Sequence, residues 1–125
     1  MIAGSVNALL EAAIRLVVRD VQGSDVIVEV ILDTAFTGDI TLSATTIASL
    51  QLPFLTTRRA RLADGTLHPV KVYNAQVVWE GQPRLVEVEE VEGQPLLGTH
   101  LLKGCEVHVE FVNAGAVTIQ PRNTP

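Results

Sequence analysis

The chain has a single cysteine, Cys105, so it cannot form an intrachain disulfide, and nothing points to an oxidising compartment. The histidines, at positions 68, 100 and 108, are irregularly spaced and have no cysteine partners, so we expect no metal site. No apolar run reaches the roughly 18 residues that a membrane span needs, and no basic region precedes an apolar block at the N-terminus. We therefore expect a cytoplasmic protein with no membrane partner.

Aromatic residues are scarce, at 4% of the chain, whereas apolar residues make up 47%. The core must then consist of Val, Leu, Ile and Ala, a composition that favours strands over helices. A chain of 125 residues suits one domain, and no shift in composition divides it. We predict a mainly β single domain over residues 1–125, in which residues 121–125 form a frayed tail.

Positive charge is not in excess, since the formal net charge is -5. Nucleic-acid binders neutralise phosphates with clustered Lys and Arg, so we expect no nucleic-acid partner. The charges are nevertheless unevenly placed, and most such runs are solvated strand faces. Basic residues surround Asp64 at positions Arg58, Arg59, Arg61 and Lys71. Acidic residues dominate the following segment at positions Glu80, Glu87, Glu89, Glu90 and Glu92.

Alternating and β-branched segments predict the first strands, namely a short edge strand at 2–7, a firmer strand at 13–19 and a third at 26–32. Turn residues at 20–25 join the last two as a hairpin. The continuous apolar run 26–32 indicates burial on both faces, and it ends at Asp33. Acids rarely sit buried without a partner. Taken alone, however, Asp33 also fits an ordinary turn residue that caps its own backbone.

Local signals place the next elements. A short strand at 40–42 leads to Ser43, a predicted N-cap for a helix at 44–50 that Pro53 ends. Alternation returns from Arg58, and Asp64-Gly65 predicts the tip of a hairpin, because such turns need positive φ at both central residues.

The pattern of the remaining residues, from 73 onward, also predicts strands and turns. Segments 73–79 and 85–91 pair across 80–83, with Trp79 as a core anchor. Thr99 is a candidate N-cap for a short helix that Gly104 ends. Strands at 105–111 and 116–119 then complete the chain around a turn at 113–115.

This order of elements resembles that of the retropepsin-like aspartic protease family. A strand enters Asp-Thr-Ala-Phe-Thr-Gly at 33–38, a short helix and a hairpin with an Asp-Gly tip follow, and Leu-Leu-Gly at 96–98 precedes a second short helix. The small bacterial members are most similar, and their loop typically reads Asp-Thr-Gly-Phe-Thr-Gly. The resemblance covers residues 2–119. It implies a closed β-barrel half-domain with a flap hairpin and one or two short helices, assembling as a two-fold homodimer.

The resemblance implies an aspartic endopeptidase that cleaves a peptide or protein substrate with no metal or organic cofactor. Asp33 of each chain would contribute one carboxylate to a pair that shares a proton and activates a water, as the family does. Thr34 would brace the two loops, and Leu96, Leu97 and Gly98 would support them from beneath. The residues implied in substrate binding are Phe36, Leu62, Ala63, Asp64, Gly65 and Leu97. By the same analogy, residues 2–6 and 116–119 are the expected dimer-interface strands.

The sequence departs from the family pattern at Ala35, where the family has Gly. Gly serves where the backbone needs unusual dihedrals or where another group approaches closely. An alternative is therefore a weakened or inactive dimer that binds peptides or regulates a partner. A second departure is Thr37 and Thr99, which stand where retroviral relatives place an Asp–Arg ion pair. A monomeric structural β domain with an ordinary turn at Asp33 is the third alternative.

Overall fold

The computed structural model describes residues 1–62 and 64–122, with 55% strand and 9% helix, which confirms the mainly β prediction. The elements are β1 (Ile2–Val6), β2 (Ala12–Arg19), β3 (Asp25–Leu32), β4 (Ile40–Leu42), α1 (Ala44–Leu50), β5 (Phe54–Arg61), β6 (Leu67–Trp79), β7 (Gln82–Glu90), β8 (Leu96–Leu97), α2 (Thr99–Leu102), β9 (Cys105–Val109) and β10 (Ala116–Pro121). None of the helices in these ranges has the length and apolar character to cross a membrane.

The strands form a single sheet in the order β5-β6-β7-β4-β8-β3-β2-β1-β10-β9, with an additional pairing between β6 and β2. Most neighbours are antiparallel. Two pairings are parallel, β3 with β8 and β4 with β7, and both lie where the chain passes the Asp33 loop. The centre of the sheet therefore holds the segment that follows β3.

Aliphatic side chains fill the core, as the composition predicts. The largest fully buried side chains include Ile14, Ile40, Leu42, Leu97 and Leu101. Trp79 is only 6% exposed, which confirms its predicted role as a core anchor.

The prediction that the first strand lies at an edge is wrong. β1 pairs with β10 on one side, with Ile2 opposite Ile119, and with β2 on the other, with Val6 opposite Ala12. β10 likewise lies between β1 and β9. β10 therefore has no free edge, whereas β1 pairs with β2 only at Ser5 and Val6. Val117 and Ile119 are fully buried in the core. The two strands thus pair with each other within the chain, and their pairing across a dimer stays a prediction.

Burial of β3 on both faces holds only at its C-terminal end. Val30 and Ile31 are buried, whereas Ile27 is 64% exposed and Val26 is 37% exposed. The cause is the length of its neighbour, because β8 pairs with β3 only at Ile31 and Leu32. The strand delivers Asp33 from the buried end.

One of the two predicted helix N-caps is confirmed and the other is wrong. The Ser43 side chain accepts a hydrogen bond from Thr46 N and begins α1, which ends at Gln51 in a left-handed conformation, as the sequence before Pro53 predicts. The prediction that Thr99 caps α2 is wrong, because Gly98 is the N-cap and Thr99 is the first helical residue.

The hairpins agree with the turn chemistry, although their arms are longer than predicted. Gly65, with φ of +84°, lies at the tip between β5 and β6, which confirms the predicted position of this hairpin. The hydrogen bond from Leu62 N to Thr66 O shows that the loop is longer than the two residues Asp64 and Gly65. β5 begins at Phe54 rather than Arg58, and β6 is one strand of 13 residues. β6 and β7 join through Glu80 and Gly81, both with positive φ, so the turn is two residues long.

The fraying predicted from residue 121 is wrong at its first two positions. Pro121 lies opposite Cys105 in the ladder, and Arg122 N donates to Gly104 O over 2.8 Å. Residues 123–125 of the predicted tail lie outside the described residues.

Candidate active site

Asp33 lies in the loop that follows β3, half-buried, and its backbone is fixed on both sides. Its N–H donates to Leu97 O over 3.0 Å, and Phe36 N donates to Asp33 O over 3.1 Å. One carboxylate oxygen, Oδ1, accepts a hydrogen bond from Ala35 N over 2.9 Å. Asp33 thus does cap its own turn, as the ordinary reading of the residue predicts, and that turn fixes where its carboxylate lies.

The Leu-Leu-Gly segment lies directly beneath this loop. β8 pairs with β3 at Leu32–Leu97 and with β4 at Ile40–Leu97, so Leu97 sits between the two strands that flank the loop. Its side chain is fully buried and offers no surface to a peptide. Leu96 N donates to the Thr41 hydroxyl over 2.9 Å. The structure therefore brings the sequence-predicted supporting residues together with Asp33.

Gly98 makes the closest approach to the loop. Its N–H donates to Asp39 O over 2.9 Å, and the next residue, Thr99, donates from N to Phe36 O over 2.9 Å. A Cβ on Gly98 would overlap Gly38 O and would lie 2.6 Å from Phe36 Cδ2 and 2.7 Å from Phe36 O. The Phe36 ring also covers Gly38, where an added Cβ would lie 2.6 Å from Cζ. Phe36 is half-buried between these glycines.

Ala35, the departure from the family loop, does not adopt a positive φ. The described non-glycine residues that do are Leu10, Gln51, Glu80 and Ala114. Ala35 is also exposed, so its methyl group points away from the packed side of the loop. The backbone conformation at this position therefore does not require glycine. Ala35 carries none of the strain that an alanine has in a left-handed conformation.

We expect Ala35→Gly to change little the peptide cleavage that the family resemblance implies. The alanine has no unfavourable dihedral to relieve, so the variant should cleave peptides within about threefold of the wild type and unfold about 0.5–1 kcal/mol more easily, because glycine gains freedom in the unfolded chain. Steady-state cleavage and denaturant unfolding measure the two effects. A gain of tenfold or more would show that the methyl group obstructs the site.

Asp33 and Thr34 lie at the rim of a concavity of about 460 Å³. Thr34 is exposed. The other walls are mainly apolar side chains from three parts of the chain, among them Leu10, Leu102, Val107, Val109 and Phe111. Leu10 is 53% exposed and Phe111 is 65% exposed, so this face of the chain presents apolar surface beside a carboxylate.

The predicted flap residues lie at the exposed tip of the β5–β6 hairpin. Leu62 N donates to Thr66 O over 2.8 Å, and Gly65 N donates to Leu62 O over 2.9 Å. Hydrogen bonds from the Thr66 hydroxyl and N–H lower the pKa of Asp64. Ala63, also predicted in substrate binding, lies outside the described residues. Leu62, Asp64 and Gly65 do not line the concavity at Asp33.

Sequence reasoning missed the role of Asp39. This side chain is 7% exposed, and its Oδ1 lies 2.6 Å from His100 Nδ1 while Oδ2 accepts from Glu87 N over 2.9 Å. The two residues tie the end of the loop to α2, beside Thr37 and Thr99, where the ion pair of the retroviral branch is missing. The sequence feature that could have indicated this contact is an acid directly before the apolar Ile40, together with a histidine shortly after Leu-Leu-Gly.

A charged cluster continues outward from Asp39. Arg58 on β5 makes a bidentate pair with Glu87 on β7, at 2.5 and 2.9 Å, which lowers the pKa of Glu87. Burial raises the pKa of Glu89, and the carboxylates of Glu87 and Asp39 add to the shift while Arg58 opposes it. The basic arm of the hairpin and the acidic strand are therefore partly neutralised against each other at one end of a cavity of about 290 Å³.

Among residues 1–62 and 64–122, no group of three or more His, Cys, Asp or Glu side chains is arranged to hold a metal ion. Comparisons of the chain with protein-family models, with curated proteins and with solved structures gave no match. The function must therefore be argued from the geometry around Asp33.

Proposed function

We propose that the chain is a retropepsin-like aspartic endopeptidase that works as a two-fold homodimer. The observation that carries this proposal is the Asp33 loop itself. A carboxylate at the end of a buried strand is held by Ala35 N, rests on the Leu97–Gly98 segment, and opens onto an apolar concavity of about 460 Å³. The closed barrel expected from the resemblance belongs to the same proposal.

The chemistry requires two carboxylates at close range. Two such groups a few ångströms apart do not both ionise, so the pair holds one proton. The ionised member takes a proton from a water that attacks the peptide carbonyl, and the protonated member donates to the carbonyl oxygen. The tetrahedral intermediate then collapses with proton transfer to the leaving amine. Each chain supplies one Asp33, so a second chain completes the site.

The hairpin tip at Leu62, Asp64 and Gly65 supplies a cover for the substrate in this proposal. Its residues are exposed, and the hairpin is tied to the body of the sheet at its base by the Arg58–Glu87 pair. Closure of such a hairpin excludes water from the reacting groups. Phe36 lies beneath the loop, half-buried, with one side of its ring packed on Gly38 and Gly98.

Acid dependence and inhibition by a transition-state mimic test the proposal together. We expect an unstructured peptide library to be cleaved faster in acidic than in neutral solution, because the mechanism needs a carboxylate pair that holds one proton. A statine-type inhibitor, whose hydroxyl replaces the attacking water, should abolish this cleavage, whereas a metal chelator should leave it unchanged. Mass spectrometry of the products at each pH gives both rates and cleavage positions.

A different result would indicate the alternative function. Peptides that bind the dimer by calorimetry and remain intact from pH 3 to 7 would favour the peptide-binding or regulatory dimer over the peptidase. Inhibition by the chelator would contradict the aspartic mechanism. Cleavage that the statine-type compound does not inhibit would also contradict it.

A further inference from the structure

β9 ends the sheet, and its outer edge has no neighbouring strand among the described residues. The direction of its backbone groups follows from its pairing with β10. Glu110 N donates to Ala116 O, and Gly104 O accepts from Arg122 N, so even-numbered residues face β10. Because successive residues of a strand alternate in direction, Cys105, Val107 and Val109 direct their N–H and C=O groups outward.

This edge is self-complementary when a second β9 pairs antiparallel with it about Val107. Val107 then faces the partner's Val107, and Cys105 faces the partner's Val109. All the outward residues of the strand are thereby in hydrogen-bonded positions. In this register, each outward N–H and C=O group of β9 faces a hydrogen-bonding group of the second chain.

The charges on the strand fit the same register. Glu106 and His108 are exposed and flank Val107 on either side. In the register centred on Val107, Glu106 lies directly opposite the partner's His108, and the two-fold axis repeats this pair. The register therefore places no acid opposite an acid, and like charges directly opposite each other would be destabilising.

Two other free edges of the sheet, on β5 and β3, lack this property. β5, at the opposite end, carries Arg58, Arg59 and Arg61, and basic residues on an edge strand oppose pairing. The unpaired part of β3 would place Asp25 opposite the partner's Glu29 in a register centred on Ile27, so acid would face acid. Self-pairing is therefore favoured at β9 alone among these three edges of the described chain.

The edge is also continuous with the proposed active site. Val107 and Val109 line the concavity that holds Asp33 and Thr34, and the exposed Phe111 extends its apolar surface. A two-fold axis perpendicular to the sheet at Val107 keeps the two concavities on one face of the joined sheet. The two Asp33 loops then lie on the same side, on either side of the axis.

We propose that the partner which completes the active site is a second copy of this chain, joined edge to edge through β9 rather than through β1 and β10. The inference rests on the proposed function for the role of the dimer. Measurement of the mass in solution tests the interface, and measurement of peptide cleavage tests the function. The failure of one proposal can therefore be told apart from the failure of the other.

Val107→Pro tests the interface directly. Proline is tolerated on an edge strand where the lost N–H faced solvent, so the monomer should keep its circular dichroism spectrum. The dimer loses its central hydrogen bonds, and we expect sedimentation to show a monomer at concentrations where the wild type is a dimer. A variant dimer with an unchanged dissociation constant would overturn the proposed interface. A wild type that is still a monomer at about 100 µM would overturn it as well.

A charge swap provides the matched test of register. We expect His108→Glu to weaken dimerisation about tenfold, because it places an acid opposite an acid in two symmetric cross-strand pairs, and His108→Glu with Glu106→Lys to restore it. Ile27→Lys, at an exposed apolar position on β3, should leave the dimer unchanged. Failure of the double variant to recover the dimer would contradict the register centred on Val107. Asp33→Asn must dimerise as the wild type does, whatever its activity.

Discussion

Asp33→Asn is expected to abolish peptide cleavage and to leave the fold and the dimer intact. Both carboxylates of the proposed site are lost at once, and with them the base that activates water. General acid–base catalysis by a placed side chain is worth about 10²–10⁴-fold, so the rate should fall by at least about 10²-fold. The Asn side-chain oxygen still accepts the hydrogen bond from Ala35 N that Asp33 Oδ1 accepts now. Unfolding should therefore change by less than about 1 kcal/mol.

Asp25→Asn is the matched control, because Asp25 begins the same strand and lies exposed in a pair with Arg19. It should cleave peptides at the wild-type rate. An excess of Asp33→Asn chain mixed with wild type should also suppress activity, because mixed dimers hold only one carboxylate. Cleavage that survives in Asp33→Asn would refute the aspartic mechanism, and cleavage indifferent to mixing would refute the shared site.

Gly98→Ala should destabilise the protein by about 3 kcal/mol, the upper part of the range for an added methyl group in a packed region. The new Cβ would meet Gly38 O and Phe36 O, which are backbone atoms that cannot rotate away. The melting temperature should fall by roughly 10 °C, and the Asp33 loop should shift off its support. Cleavage by the folded fraction should fall as well, since sub-ångström placement of catalytic groups matters to rate.

Gly23→Ala separates this effect from the general cost of replacing a glycine. Gly23 has φ of +84° with nothing within 4 Å of the added Cβ, so the variant should lose about 1 kcal/mol through backbone conformation alone. It lies in the β2–β3 turn, at the far end of β3 from Asp33, and activity per folded molecule should be unchanged. Equal losses of activity in the two variants would show that the support beneath the loop has no special role.

Local chemistry accounts for the features that the sequence predicts well. Ser43 caps α1, Gly65 turns the hairpin and Trp79 fills the core, because each signal depends on a few neighbouring residues. The position of Leu97 beneath Asp33 was implied by the resemblance to the retropepsin-like family, not by any local signal.

Features set by distant parts of the chain could not be read in this way. Asp39 and His100 are 61 residues apart, and only the folded sheet brings their side chains to 2.6 Å. The double pairing of β1 and the exposure of Ile27 depend on the lengths of neighbouring strands, which alternation does not encode.

In the proposed dimeric peptidase, the presence of one Asp33 loop per chain makes the number of complete sites depend on protein concentration. Below the dissociation constant of the dimer, doubling the amount of protein should raise the concentration of complete sites about fourfold. Dilute chains would then be harmless to other proteins, and cleavage would begin only after enough copies accumulate. If the proposed function holds, the level of expression would set the threshold at which proteolysis begins.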